Sequence, residues 1–327
     1  MKVLAGDIGG TKTTLAIFEV NGTRIKSLVE EKYPSKEHAS LNEIVQKFIE
    51  THGHKPEWAS FGIAGPVHNG QAKTTNLPWL VDAKQLAEEA GFRKVWLLND
   101  LEANAWGISA LEEKDFCVLN EGKPDPAGNA SIIAAGTGLG QAGLYWNGED
   151  LRPFACEGGH CDFAPTSDLE IELLKHLRQS YAHVSWERVV SGMGLGNIYQ
   201  FLCHYRDVKT PAWLAEEMKT GDQAAAISKA AQDSRCPVCS ETLDLFIYLY
   251  GVEAGNLALK IMATSGVYIG GGIAPKNLDR FRGDTFLKGF FSKGRMESLM
   301  RDMPVKVILN ERTALYGPAV FAGSEIE

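Results

Sequence analysis

Cysteine is scarce in this chain, and long apolar segments are missing from it. Six cysteines among 327 residues are too few for the disulfide framework of a small secreted protein. No uncharged apolar run reaches 18 residues, so the sequence predicts no transmembrane helix. The chain starts without the charged segment, apolar segment and small-residue cleavage site of a secretory signal, and we therefore expect a cytoplasmic protein.

Positive charge is outnumbered by negative charge. Lys and Arg total 33 against 41 Asp and Glu, which gives a net charge of −8, and no cluster of five or more basic residues occurs. Nucleic acids and anionic membranes bind to basic surfaces, so we expect neither as a partner. The length and a hydrophobic content of 44% suffice for two domains with separate cores.

A glycine-rich loop lies near the start of the chain. Residues 4–16 read Leu-Ala-Gly-Asp-Ile-Gly-Gly-Thr-Lys-Thr-Thr-Leu-Ala, a pattern that predicts a strand, a loop and a second strand. Glycine lets backbone N–H groups approach a phosphate and hydroxyls add donors, so the candidate phosphate-binding residues are Gly9, Gly10, Thr11 and Lys12. Asp7 could face a phosphate-bound cation. A P-loop is excluded because Thr11, not glycine, precedes Lys12 and a strand follows; a glycine bend without a ligand remains open.

A second copy of this pattern occurs later in the chain. The spacing from Gly136-Thr137 to the turn at Asn147-Gly148 equals that from Gly10-Thr11 to Asn21-Gly22. An internal repeat predicts two similar domain cores, whose loops could hold one nucleoside triphosphate from opposite sides. The dinucleotide fingerprint that begins at Gly138 is too close to the next turn to open a helix, which argues against a nicotinamide-binding domain.

The motifs together resemble those of the sugar kinase, heat-shock protein 70 and actin superfamily. Besides the paired loops, two further features support this resemblance. One is an acid that follows a buried strand, in Asn99-Asp100, and the other is a third glycine cluster, Gly270, Gly271 and Gly272. The stretches Leu98–Asp100, Glu157–His160 and Glu187–Leu195 further resemble the bacterial ATP-dependent glucokinase family of the non-zinc type, nearly end to end.

The resemblance implies a two-domain α/β ribonuclease H-like fold of the actin-like ATPase type, with a cleft between the domains. We expect a small domain of residues 1–110 plus about 302–327, and a large domain of residues 111–301 with helical insertions. The implied reaction transfers the γ-phosphate of ATP, with Mg²⁺, to the 6-hydroxyl of D-glucose. A homodimer is compatible with this interpretation.

Roles for single residues also follow from the resemblance. It implies that Asp100 is the general base, that the sugar is bound by Asn99, Glu157, His160 and Glu187, and that Asp7 holds Mg²⁺ through water. It also places the two Gly-Thr loops, Gly136-Thr137-Gly138 being the second, at the phosphates and Gly270–Gly272 beside the adenosine. The residues alone leave simpler roles open: a helix N-cap for Asn99 or Asp100, a structural histidine, an exposed acid at Glu187, and a helix C-cap turn at Gly270–Gly272.

Other functions remain as alternatives. Gly9–Lys12 also resembles the repressor and open-reading-frame kinases, which phosphorylate other hexoses or N-acetylhexosamines, but only Cys156 and Cys161 stand where those relatives carry a zinc cluster. A chaperone-type ATPase and a sugar-sensing regulator are further alternatives from the same superfamily. Cys236 and Cys239 form a lone CxxC pair. A structural zinc would need two more ligands, for which only Cys203 and His204 lie upstream at plausible spacing, so we expect free thiols.

The chain pattern predicts the following elements. These are three antiparallel strands within residues 2–33, a helix at Leu41–His52, a strand at Ala59–Val67, a strand at Lys94–Leu98, a helix at Leu101–Leu111, a connection at Lys114–Asn129, a strand at Leu151–Cys156, a helix at Ser167–Gln179 with a capping box, helical structure over residues 212–264 with a long apolar core segment at Leu243–Ala263, and a last helix at Thr313–Ala322. The superfamily resemblance implies that the last helix packs on the first domain.

Overall fold

The computed structural model describes residues 1–74 and 77–326. The chain divides into two units, each with its own sheet. The first unit comprises Met1–Asp115, Arg152–Ala155 and Asn310–Glu327, and the second unit comprises Phe116–Leu151 and Cys156–Leu309.

Strands and helices are numbered in chain order. The strands are β1 (Lys2–Ile8), β2 (Lys12–Asn21), β3 (Arg24–Pro34), β4 (Trp58–Ile63), β5 (Val67–His68), β6 (Gln71–Lys73), β7 (Leu80–Asp82), β8 (Lys94–Asn99), β9 (Phe116–Asn120), β10 (Ala130–Ala135), β11 (Leu139–Trp146), β12 (Leu151–Cys156), β13 (Gly266–Gly270) and β14 (Val305–Ile308). The helices are α1 (Leu41–His52), α2 (Ala83–Ala90), α3 (Asp100–Gly107), α4 (Asp168–Leu177), α5 (Gly192–Tyr205), α6 (Ala212–Thr220), α7 (Gln223–Gln232), α8 (Pro237–Ile261), α9 (Ile273–Lys276), α10 (Leu278–Phe281), α11 (Asp284–Phe291), α12 (Glu297–Asp302) and α13 (Thr313–Ile326).

The main sheet of the first unit has the strand order β3-β2-β1-β4-β8. β2 is antiparallel to β1 and β3, whereas β1, β4 and β8 are parallel. Successive side chains of a strand face opposite sides, and in β1 Leu4 belongs to one apolar core while Val3 and Ala5 belong to another, which includes Leu315 of α13. Helices therefore cover both faces, which explains why the strand sequences are apolar without alternation.

A six-stranded sheet, built mostly from strands of the second unit, repeats this arrangement. Its order is β12-β11-β10-β13-β14-β9, in which β10 is antiparallel to β11 and parallel to β13, and β13 is parallel to β14. The first five strands correspond one to one with those of the first unit. The internal repeat predicted from the two Gly-Thr loops is thus confirmed, and β9 is an added edge strand.

Local capping fixes several predicted helices. Ser40 accepts a hydrogen bond from the Glu43 N–H at the start of α1, and Gly53 ends that helix in the left-handed conformation with φ 66°. The predicted capping box of α4 is confirmed because Ser167 accepts from the Glu170 N–H, and the Glu170 carboxylate accepts from the N–H of Thr166 at 2.7 Å. That helix ends at Leu177, two residues earlier than predicted.

Some predicted boundaries are wrong. The strand expected at Ala59–Val67 ends at Ile63 because Gly65 turns the chain with φ 137°, and Val67-His68 joins a separate sheet with β6 and β7. The expected connection at Lys114–Asn129 contains β9, which pairs with β14. The helix expected at Leu101–Leu111 ends at Gly107 and continues as a 3₁₀ turn, Ile108–Ala110.

The long apolar segment forms most of α8, which begins at Pro237. Its side chains belong to the main core of the second unit together with Ile133 and Val267 of the sheet, so the prediction of a core helix is confirmed. None of the helices in residues 1–74 and 77–326 combines the length and hydrophobicity of a membrane span.

Candidate active site

The parallel strands of the first unit end together at one edge of its sheet. Ligand sites of α/β sheets lie at the carboxyl ends of strands, and here β1 ends after Asp7 while β8 leads directly into Asp100. The Ala64 N–H donates to the Ile8 carbonyl at 3.3 Å, and the Asn99 side-chain amide donates to the Gly65 carbonyl at 3.3 Å. The structure therefore brings the predicted residues Asp7, Asn99 and Asp100 to the same edge.

Asp7 has an unusual electrostatic environment. Burial, followed by the negative charge of Asp100, raises the pKa of the Asp7 carboxyl to about 6, and the Lys12 ammonium partly opposes this shift. Two carboxylates that disfavour each other's charge would be stabilised by a cation placed near them. This is the property expected of a site that faces a phosphate-bound metal ion.

Asn99 and Asp100 also start helix α3. The Asn99 Oδ1 accepts from the backbone N–H groups of Leu101 at 2.8 Å and Glu102 at 3.4 Å, which confirms the helix N-cap as one role of Asn99. The Leu101 N–H also lies 2.9 Å from the Asp100 Oδ1. These bonds fix the orientation of both side chains at the end of β8.

The first glycine loop, Gly9–Lys12, is held by a residue that sequence reasoning missed. The loop is closed by a hydrogen bond from the Gly9 N–H to the Lys12 carbonyl at 3.0 Å. Ser35, which is buried, donates its hydroxyl to the Gly9 carbonyl at 2.8 Å and its N–H to the Thr11 carbonyl at 3.0 Å. Carbonyls bound in this way point away from the exposed side of the loop, where Thr11 and Lys12 lie.

The second glycine loop connects β10 to β11 and has a different support. The Gly136 N–H donates to the Gly138 carbonyl at 2.9 Å, and the Gly192 N–H donates to the Gly136 carbonyl at 2.8 Å. Glu187 Oε2 accepts from the Leu139 N–H at 3.0 Å, and a Cβ added at Gly138 would lie 2.4 Å from that oxygen. The sequence predicts a sugar-binding role for Glu187, but not this bond to the loop of Gly136, Thr137 and Gly138.

The third glycine cluster follows β13, next to β10 in the sheet. Gly271 has φ +77°, and a Cβ there would lie 2.3 Å from the Ala135 carbonyl oxygen, whereas Gly272 borders open space. The buried Tyr250 hydroxyl, also missed from the sequence, accepts from the Ala135 N–H at 2.9 Å and lies 3.3 Å from the Gly270 carbonyl. The cluster leads from a strand into α9, so the alternative of a helix C-cap turn is wrong.

The remaining predicted sugar ligands lie on two adjoining turns of the second unit. Glu157 precedes the 3₁₀ turn Gly158–His160, which ends at His160. The two side chains are 69% and 62% exposed, and Glu157 Oε2 lies 4.0 Å from His160 Nε2. Glu187 belongs to the 3₁₀ turn Trp186–Arg188, and the Trp186 N–H donates to the Cys161 carbonyl at 2.9 Å. The exposure of His160 argues against a buried structural histidine.

The described residues do not form a metal site made of protein side chains alone. Residues 1–74 and 77–326 contain no cluster of three or more His, Cys, Asp or Glu side chains suited to hold a metal ion. All six cysteines are free, and Cys236 and Cys239 are buried at the start of α8. The expectation that Cys236 and Cys239 act as free thiols stays a prediction.

Comparison with known proteins gives a consistent family assignment. The glucokinase family model matches residues 4–325. The glucokinase of Nostoc punctiforme is 44% identical over 338 residues, with 98% of each chain covered, and that of Synechocystis sp. is 42% identical, with 98% of this chain and 97% of the relative covered.

Solved structures support the same family assignment. The crystal structure of a glucokinase from an Antarctic psychrotroph has a TM-score of 0.88 at 30% identity and 99% coverage of both chains. A ROK family glucokinase from Streptomyces griseus, solved in complex with glucose and AMPPNP, shares the fold with a TM-score of 0.66 at 22% identity, covering 99% of this chain and 100% of the other. The paired sheets thus have the actin-like α/β fold of sugar kinases, and the chain belongs to the glucokinase family.

Proposed function

We propose that this chain phosphorylates D-glucose on its 6-hydroxyl with ATP, giving glucose 6-phosphate and ADP. The observation that carries the proposal is the pair of carboxylates, Asp7 and Asp100, at the strand ends beside the first glycine loop, within a member of the glucokinase family. One carboxylate suits proton transfer and the other suits a phosphate-bound cation.

Asp100 is the proposed general base. A sugar hydroxyl is a poor nucleophile at neutral pH, and a positioned base that accepts its proton contributes about 10²–10⁴-fold. Asp100 is fixed at the start of α3 by the N–H of Leu101. The remainder of the rate enhancement in phosphoryl transfer comes from in-line placement and from neutralising charge on the transferred group.

ATP is the proposed co-substrate of the glycine loops. Gly9–Lys12 and Gly136–Gly138 would bind its phosphates, and Gly270–Gly272 its adenosine, because the open space at Gly272 admits a ligand close to the backbone. Support for both loops comes from outside them, through Ser35 and Glu187. Such loops are preorganised before a ligand arrives.

Mg²⁺ fits this arrangement as an ion held by ATP. Asp7 is a buried carboxylate whose charge is disfavoured by Asp100, and Mg²⁺ in kinase sites commonly uses one or two carboxylates with phosphate oxygens and waters. We propose that Asp7 holds the ion through water. When bound, Mg²⁺ supplies charge neutralisation at the phosphates.

The sugar is the proposed ligand of Asn99, Glu157, His160 and Glu187. Carboxylates accept hydrogen bonds from neighbouring hydroxyls, and imidazole can accept or donate, so this set suits a polyol. The exposure of Glu157 and His160 on one turn, and the hydrogen bond between that region and the turn carrying Glu187, support a common ligand.

The functional domains in this proposal are residues 1–110 plus about 302–327, and residues 111–301. The packing of α13 against β1 and β2 of the first unit supports assigning the C-terminal helix to the smaller domain. We further propose a cytoplasmic enzyme, supported by its free thiols and its use of ATP. A homodimer remains part of the proposal.

The test measures ADP formation with Mg²⁺ in the presence of D-glucose, mannose, fructose or N-acetylglucosamine, and without sugar. We expect turnover with glucose and identification of the 6-phosphate by NMR. A clear preference for N-acetylglucosamine would favour the alternative hexosamine kinase, and turnover that ignores every sugar would favour a chaperone-type ATPase.

A further inference from the structure

We propose that Gln141 and Glu253 form a buried pair that positions the sugar-binding turn Glu157–His160. This inference rests on the proposed function of Glu157 and His160 as sugar ligands. Neither Gln141 nor Glu253 needs to touch the sugar, so both are positioning residues.

Gln141 lies directly beneath the turn. It is 2% exposed on β11, and a Cβ added at Gly158 would come within 1.9 Å of its side-chain oxygen. Its backbone carbonyl accepts from the Cys156 thiol at 3.4 Å, just before the turn. The turn therefore rests on the side chain and on the backbone of one residue.

Glu253 fixes the orientation of Gln141. The Gln141 amide donates to Glu253 Oε1 at 2.8 Å, and the Asn256 amide donates to Glu253 Oε2 at 2.9 Å. With its amide N–H directed to the carboxylate, Gln141 must present its oxygen towards Gly158. The hydrogen bond to Glu253 therefore determines that the Gln141 side-chain oxygen, and not its nitrogen, faces the turn.

A buried glutamate such as Glu253 destabilises the folded protein, which argues for a role beyond simple packing. It is fully buried within the apolar helix α8, and an isolated buried charge is destabilising compared with an apolar side chain. Burial raises the pKa of Glu253, and the hydrogen bonds from Gln141 and Asn256 oppose that shift more than the nearby charge of Lys293 does. Lys293 is itself anchored to the Val252 carbonyl at 2.8 Å.

The turn has little support of its own. Its internal hydrogen bonds run from the N–H of His160 to the Glu157 carbonyl and from the N–H of Cys161 to the Gly158 carbonyl, both at 3.0 Å. Because Gly158 and Gly159 carry no side chains, the turn depends on what lies under it. Displacing it would move two sugar ligands together, and sugar binding is expected to weaken more than nucleotide binding.

The decisive variant is Gln141→Leu, which keeps the approximate size of the side chain and removes its amide. We expect the KM and the calorimetric Kd for glucose to rise about tenfold. A change of this size corresponds to the loss of one to two hydrogen bonds between the sugar and a displaced turn. The kcat and the KM for ATP should stay within about twofold of the parent protein. A matched control is Thr242→Val, which removes another buried hydrogen bond of α8, from Thr242 Oγ1 to the Val238 carbonyl, and should leave the glucose KM unchanged.

A conservative variant of Glu253 distinguishes an effect on the position of the turn from a general loss of stability. Glu253→Gln keeps an oxygen that can accept from Gln141, and Asn256 can reverse its amide, so we expect a glucose KM near that of the parent. Glu253→Leu should resemble Gln141→Leu. A Gln141→Leu protein with the parental glucose KM, or with equal losses for glucose and ATP, would overturn the inference.

Failure of the proposed function gives a different pattern. Glu157→Gln tests the sugar role of the turn directly. If Glu157→Gln raises the glucose KM and Gln141→Leu does not, the positioning pair alone is wrong. If neither variant changes the glucose KM, the turn does not bind the sugar, and both the site assignment and the inference are wrong.

Discussion

Replacement of Asp7 by asparagine should stabilise the protein while it impairs catalysis. Burial and the charge of Asp100 raise the Asp7 pKa from its ordinary value of 3.8 to about 6. The native state therefore binds this proton more tightly than the unfolded state does. The stabilising contribution of the group is fully present below pH 3.8 and is lost as the pH rises through about 6.

The size of the effect follows from the pKa. A shift from 3.8 to about 6 corresponds to about 3 kcal/mol at neutral pH, at 1.36 kcal/mol for each pH unit. Asparagine has a similar shape and carries no charge, so Asp7→Asn should recover up to about 3 kcal/mol at pH 7.5. For a chain of this length that equals a rise in Tm of about 4 °C.

The assay is thermal unfolding of both proteins between pH 4 and pH 8. We expect the advantage of Asp7→Asn to shrink as the pH falls and to drop below about 1 kcal/mol near pH 4. Asp82→Asn is the matched control in the same unit, because the Gln71 amide and the backbone lower the pKa of Asp82 and removing its charge should give no gain. A gain for Asp7→Asn that does not vary with pH, or no gain at pH 7.5, would refute the reasoning.

Three further predictions concern activity and packing. Asp100→Asn should lower kcat by about 10²–10⁴-fold with little change in glucose Kd, measured by coupled kinetics and calorimetry; an unchanged kcat would contradict its role as base. Glu187→Gln should raise the KM for both ATP and glucose, since its carboxylate also holds the second glycine loop, whereas Glu157→Gln should affect glucose alone. Gly317→Ala should lower the free energy of unfolding in denaturant by about 3 kcal/mol or more, because the new Cβ would lie 1.7 Å from a carbonyl oxygen of helix α3. Gly272 has open space around it, so Gly272→Ala should fold normally and raise the KM for ATP.

Features encoded locally could be predicted from the sequence. The spacing of Gly-Thr and Asn-Gly pairs predicted two hairpins, and the shared strand order of both sheets confirms the repeat. Ser40 and Gly53 bound α1 where the apolar periodicity placed it. In each case the signal and the structure it specifies lie within about one turn or one hairpin.

Residues that meet over long sequence separations could not be predicted. Ser35 reaches Gly9 from 26 residues away, and Tyr250 reaches the end of β10 from more than 100. A single sequence does not say which distant residues become neighbours. A partial signal existed for Gln141 and Glu253, because each is a polar residue in an apolar segment and buried polar groups need partners.

The two copies of the repeat share a backbone arrangement but differ in charge. When Gly136-Thr137 is aligned with Gly10-Thr11, Ile133 takes the place of Asp7, and Ile133 is fully buried in an apolar core. A second carboxylate at that position would add negative charge against a ligand that is itself a polyanion, whereas backbone N–H groups and glycine add none. In our proposal, one copy therefore supplies both acids, Asp7 for the cation and Asp100 for the proton. The other copy keeps the loop and adds the turns that carry Glu157, His160 and Glu187, which explains why a duplicated scaffold presents an asymmetric set of functional side chains.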